Sequence, residues 1–228
     1  MKKTVATLAL ASLHYLGHAM IIDNFTVPYS KTLTSGTFVD YQTDASLLSG
    51  ERDVETEILS NSGGGAAHLA IGGGQISLRN DAGVGSMVRL EYDGVGDEIN
   101  NTGPGRSLIH AFNPNNPFPL GSSRVVVHVD RLVGAPMEVA VHLYRDGVRT
   151  FQYGRNPSPG ENFTINFNIF PANLRECDSM QVYFYLPLPL QEIVVSKVEI
   201  VPEGNSALFL LTGGIVLGYR KHLRSKRQ

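Results

Sequence analysis

Three groups of residues in this chain have the types and spacing to do chemistry. In Asp93-Gly94-Val95-Gly96-Asp97-Glu98, the side chains of Asp93, Asp97 and Glu98 lie in a glycine-flexed stretch. Carboxylate oxygens so placed can wrap a hard cation such as calcium. The spacing departs from that of an EF-hand, which takes acids at alternating positions and closes on a distant glutamate, and a plain solvated turn fits the same residues. His128 and His142 form the second group. If the runs around them pair as a hairpin centred on Ala135, parity sets His128 opposite His142, Val127 opposite Leu143 and Arg124 opposite Asp146. Such a pair, with Asp130 diagonally near, offers ligands to a metal, but no third strong ligand is evident. Two partly exposed, stacked imidazoles on a solvated face or under a loop are the expectation. The third group is Glu51-Arg52-Asp53, a guanidinium flanked in sequence by two carboxylates. It reads as a structural ion pair closing a strand end, with ligand binding by Arg52 as the alternative.

The catalytic inventory is otherwise thin. The chain has no G-x-S-x-G elbow, no H-E-x-x-H pair, no P-loop and no dinucleotide fingerprint. Cys177 is the single cysteine, so no internal disulfide forms, and its neighbours Glu176 and Asp178 raise rather than lower a thiol pKa. Paired carboxylates for glycoside hydrolysis come from distant strands and leave no local trace. For sugar stacking, Tyr92, Tyr144, Phe151 and Tyr153 are candidates in a chain without Trp, although core or cross-strand packing is the expectation for most of them, and the rigid polar stretch Asn113 to Pro119 could rim such a site or serve as a passive connector.

The elements that must position these groups are strands. Apolar alternation marks Arg52 to Leu59, Ala67 to Ile71, Gln75 to Arg79, Ser86 to Tyr92, Arg124 to Val133 and Met137 to Arg145. Val148 to Tyr153, Asn162 to Asn168, Gln181 to Leu186 and Ile193 to Val201 follow, with the 24 glycines and 12 prolines supplying tight connections. No long core stretch has helical spacing. The expected fold is all-β, an antiparallel sandwich of jelly-roll type over residues 20–200, with a barrel fitting the same pattern.

Both ends read as addresses. Met1-Lys2-Lys3 is a positive n-region, Thr4 to Leu16 an apolar run, and Gly17-His18-Ala19 places small residues for signal peptidase, so residues 1–19 are expected to leave and Met20 to begin the mature chain. At the other end, Val201-Pro202-Glu203-Gly204 precedes an apolar run that forms one membrane helix over about 206–219. Arg220, Lys221, Arg224, Lys226 and Arg227 close the chain and would stay on the cytoplasmic side. Without both ends, 19 basic residues less 7 leaves 12 against 21 acidic ones, a net −9. That charge argues against nucleic acid and suits an extracellular protein.

The three-part tail over 201–228 resembles the PEP-CTERM sorting signal of Gram-negative envelope proteins, with Gly204 where that family has a second proline. The core is similar to the same family in Ile22-Asp23-Asn24-Phe25, in Ser49-Gly50-Glu51-Arg52-Asp53 and in Tyr92-Asp93-Gly94-Val95-Gly96-Asp97. The resemblance implies export through the inner membrane, cleavage by exosortase near Pro202-Glu203, delivery to the cell surface or matrix, and association with exopolysaccharide. The expected function is thus that of a non-catalytic envelope or matrix protein without a required cofactor. A carbohydrate-binding module is the alternative, followed by a polysaccharide-degrading enzyme.

Overall fold

The computed structural model describes residues 19–47, 50–94, 123–134, 137–146, 148–169, 177 and 179–202. The strands are β1 (Met20–Asp23), β2 (Tyr29–Leu33), β3 (Thr37–Thr43), β4 (Glu51–Asn61), β5 (Ala67–Gly72), β6 (Gln75–Asn80) and β7 (Val84–Tyr92). They continue as β8 (Ser123–Val133), β9 (Glu138–Arg145), β10 (Val148–Arg155), β11 (Gly160–Ile169), β12 (Ser179–Leu186) and β13 (Glu192–Pro202). A seven-stranded sheet runs β11-β8-β13-β6-β5-β2, with β1 also on β13, and a six-stranded sheet runs β10-β9-β12-β7-β4-β3. Every pairing is antiparallel. Two separate sheets make this a sandwich and exclude the barrel. β1, β2 and β3 are additions to the strands read from sequence: β1 has four residues, and β2 and β3 are half-exposed edge strands whose alternation is weakly apolar.

Period-two alternation sorts the side chains. On β8, Val125, Val127 and Val129 are buried; on β9 Val139, Val141 and Leu143; on β12 Met180, Val182, Phe184 and Leu186. These rows meet between the sheets in one core, each fully buried side chain contributing about 1.5–3 kcal/mol.

The hairpin expected between Arg124–Val133 and Met137–Arg145 does not form. β8 pairs with β11 and β13, whereas β9 pairs with β10 and β12. The chain crosses from one sheet to the other just after β8, where Gly134 takes a left-handed φ of 78°. Parity assigned the inner rows correctly, but alternation cannot tell an edge neighbour from a neighbour across the core. The ten-residue ladder between β8 and β13 replaces the short hairpin. In consequence His128 and His142 lie on opposite outer faces of the sandwich.

The three family-like core motifs meet at one place. Asp23 and Arg52 are fully buried, with Arg52 Nη1 donating to Asp23 Oδ2 at 2.5 Å. Tyr92 donates to the same oxygen at 3.0 Å, and the Phe25 amide donates to Asp23 Oδ1 at 2.7 Å. Gln42 Oε1 accepts from Nε and Nη2, and the Val27 carbonyl accepts from Nη2. A buried ion pair stands only when its leftover donors and acceptors are met in this way. Because neighbours on a strand point oppositely, Glu51 and Asp53 turn away from Arg52 to the outer face.

Met20 pairs with Ile200 on β13, so Ala19 and Val201 lie together at one end of the sheet. Val201 and Pro202 pair with Arg124 and Ser123. Among the described residues, no helix is long and apolar enough to cross a membrane; the expected helix over about 206–219 lies outside the described residues.

Candidate functional site

The outer face of the six-stranded sheet collects polar and aromatic side chains in rows that cross the strands. On β12 the alternation that buries Val182 and Phe184 turns Gln181, Tyr183 and Tyr185 outward. Ladder registers extend these positions sideways. Gln181 stands in a row with Asp53, Glu91, His142 and Gln152; Tyr183 with Glu55, Arg89, Ala140 and Gly154; Tyr185 with Glu57, Met87 and Glu138.

The middle row is enclosed although it points away from the core: Asp53 is 2% exposed, Glu91 0%, Gln181 1% and His142 8%. Burial first, then the charges of Asp93, Glu51 and Glu91, push the Asp53 carboxyl up to about 8. Asp53 therefore holds a proton at neutral pH. Burial, and after it the charges of Arg149 and Arg89, push the His142 imidazole down to about 4, so it is neutral. Among the described residues, neither ring nitrogen of His142 has a hydrogen-bond partner, and the Ser179 hydroxyl, also buried, has none. The His142 ring packs against Tyr183 at 4.5 Å between centroids and lies 6.5 Å from Tyr144.

The Tyr183 and Tyr185 rows open to solvent. Tyr183 is half-buried and Tyr185 is 38% exposed. Tyr183 donates to Gln181 Oε1, and burial, opposed by Arg89, pushes its hydroxyl up to about 12. Arg89 lies 6.0 Å from the Tyr183 ring and is held by Glu55 Oε2 at 2.6 Å. On the other side Ala140 and Gly154 are small, which leaves that flank of Tyr183 low; Glu138 lies over Gly154. The result is an aromatic surface of two rings bordered by a fixed ion pair and a carboxylate. Such a surface can stack on the C–H face of a sugar while its rim exchanges hydrogen bonds with hydroxyls.

The residues singled out from the sequence fall elsewhere or only partly here. Of the four aromatic candidates, Tyr144 alone is on this face. Tyr92 is in the core on Asp23, Phe151 packs against the core, and Tyr153 turns its ring edge to Phe167 at 6.2 Å. Asp93 is buried near Asp53, while Asp97 and Glu98, and the stretch 113–119, lie outside the described residues. His128 is on the other sheet, its Nε2 2.7 Å from Glu199 Oε1, and Lys197 reaches Glu199 Oε2 at 2.9 Å. Among the described residues, no three His, Cys, Asp or Glu side chains are grouped to hold a metal. Ala19 immediately precedes β1; Gly17, Glu203, Arg220, Lys221, Arg224, Lys226 and Arg227 lie outside the described residues. Tyr183 and Tyr185 were missed in the sequence, yet the alternation of Gln181 to Leu186 carries their signal: inward Val182 and Phe184 require outward tyrosines.

No protein-family model matches the chain, and no curated protein matches it. Among solved structures it is similar to the family 11 carbohydrate-binding module of a cellulosomal cellulase of Clostridium thermocellum, with 12% identity, a TM-score of 0.34, and coverage of 82% of this chain and 95% of that one. It is similar to a family 29 carbohydrate-binding module from Piromyces equi at 8% identity and a TM-score of 0.31, covering 77% and 92%. It is also similar to the enzymatically active domain of bacteriophage CBA120 tailspike protein 4, at 9% identity and a TM-score of 0.35, covering 78% of this chain and 20% of that one. The chain thus spans about a fifth of that tailspike chain. Likeness at this level decides nothing about the ligand.

Proposed function

We propose that this is an exported, non-catalytic envelope or matrix protein whose jelly-roll-like sandwich binds carbohydrate on the outer face of the six-stranded sheet. The observation that carries this reading is the pair of successive outward rings on β12, half-buried Tyr183 and exposed Tyr185, beside the Arg89–Glu55 ion pair. Rigid aromatic surface with a polar rim is the chemistry that holds a polyhydroxyl chain.

The export half of the reading rests on the two terminal addresses. Signal peptidase would cut after Ala19, the tail helix would hold the chain in the inner membrane, and exosortase would cut near Pro202-Glu203. Met20 pairs with Ile200, so the expected cut after Ala19 and the start of the tail address at Val201 fall at one end of the sheet.

Calorimetric titration of the full chain, in mild detergent, with soluble polysaccharides tests the binding half. Tyr183→Ala and Tyr185→Ala are each expected to weaken binding about tenfold or more, as loss of an aromatic anchor does. Unchanged affinity in both variants would remove the site. Intact mass and fractionation in the host test the sorting half. A species starting at Met20 and ending near Glu203 outside the inner membrane supports it, and a chain retained there with its tail sinks the exosortase step.

A further inference from the structure

The candidate face is electrically divided. Its β4 and β7 side carries Glu51, Glu55, Glu57, Glu91 and Asp93, beside the protonated Asp53, against the single outward cation Arg89. The β9 and β10 side is different. Arg149 stands there on the outer face, in register with Tyr144, which is in turn in register with Ser179. It is exposed and forms no ion pair with any described residue. One row away lie the two unpartnered nitrogens of His142, and the unpartnered Ser179 hydroxyl shares the Tyr144 row. The neighbouring groups are neutral: Tyr144 on β9, Gln152 on β10, Gln181 and Tyr183 on β12. The charges beyond them are Arg89, held by Glu55, and Glu91 in the His142 row. Glu138 lies at the far end of β9, about 13 Å along the strand from His142, and Arg145 at the turn is within 3.9 Å of Asp146.

The exposed guanidinium of Arg149 is a set of donors without an acceptor, while the His142 nitrogens and the Ser179 hydroxyl lie enclosed behind it. The group that completes such a set is a carboxylate, for which a guanidinium offers a planar pair of donors. We infer that the carbohydrate taken by this face is an acidic one, a uronate-bearing polysaccharide whose carboxylate is held by Arg149 at the β9–β10 end. The inference rests on the carbohydrate-binding reading above. The carboxylates on the β4–β7 side repel the same group, so the ligand's charged end is directed to Arg149 and its neutral surface to Tyr183 and Tyr185.

The test is titration of the full chain with polygalacturonate and, separately, with dextran at 0.1 M salt. Wild-type protein is expected to prefer polygalacturonate about tenfold, the scale of a charged hydrogen-bonded contact. Arg149→Gln should abolish the preference, while Arg155→Gln, on the same strand with its guanidinium 4.6 Å from the Tyr153 ring, should keep it. Equal affinity for both polymers, or a preference that survives Arg149→Gln, overturns the acidic class. Tight binding to dextran alone overturns it too, while leaving the carbohydrate reading intact. Binding of neither polymer overturns both.

Discussion

On the outer face of the seven-stranded sheet, His128 meets Glu199 at 2.7 Å, Arg131 meets Glu192, and Asp130 accepts from Gln75 and Ser196 at 2.7 Å each. On the outer face of the six-stranded sheet, His142 is buried without a partner for either nitrogen, and Asp53 is crowded by three other carboxyl groups. The first face settles its charges in local, half-exposed pairs, as a solvated surface does. The second keeps a neutral imidazole and a protonated carboxyl enclosed, an arrangement that lowers stability and is concentrated at ligand sites. Sheet membership alone separates two histidines that the sequence presents as equivalent.

The largest test of this contrast strikes the mount of the second face. Arg52 anchors β4 from inside, and β4 carries Glu51, Asp53 and Glu55 outside. Arg52→Met leaves Asp23 buried without its cation, which costs about 3–5 kcal/mol. The melting temperature should fall by about 10 °C or more for a chain of this size, and polysaccharide binding should weaken with it. Asp23→Asn combined with Arg52→Met should recover much of the loss, because the stranded charge is then gone. A single variant that melts like the wild type would show that the buried pair does not hold this end of the sandwich.

This anchor shows what was legible in the sequence. The motifs around Asp23, Arg52 and Tyr92 were visible as motifs, but their meeting was not, since 29 residues separate Asp23 from Arg52. Glu51 and Asp53 drew attention as the partners of Arg52, yet the strand's period of two already forbids that pairing. The inner rows of β8 and β9 were legible for the same periodic reason. Their placement in different sheets was not, because it depends on the longer ladder that β13 offers β8. Tyr183 and Tyr185 could have been read from alternation alone, whereas the enclosure of Asp53 and His142 depends on how elements far apart in sequence assemble.

The next test compares the histidines by pH. The folded His142 titrates near 4, below its ordinary 6.5, so the unfolded chain binds a proton that the folded one refuses. Stability contributed by the neutral ring is present above pH 6.5 and is lost as pH falls toward 4, by about 1–2 kcal/mol at pH 5. His142→Leu should remove that acid-side loss, giving a variant more stable than wild type at pH 5 and within about 1 kcal/mol of it at pH 7. Urea unfolding at the two pH values reads this directly. A variant that loses stability equally at both would mean that the ring's packing against Tyr183 outweighs its titration.

His128→Leu gives the smallest effect and the opposite sign. Its partner Glu199 keeps Lys197 at 2.9 Å, and although burial opposes it, hydrogen bonds from Lys197 and His128 hold that carboxyl below its usual range. Removing the imidazole therefore leaves Glu199 paired, and a half-exposed ion pair is worth about 0–1 kcal/mol. The variant should be less stable than wild type by less than about 1 kcal/mol, as read by urea unfolding. Polysaccharide affinity should not move, because the two histidines face opposite sides of the sandwich. A drop in affinity on His128→Leu, with His142→Leu silent, would transfer the binding face to the seven-stranded sheet and reverse the assignment of the two surfaces.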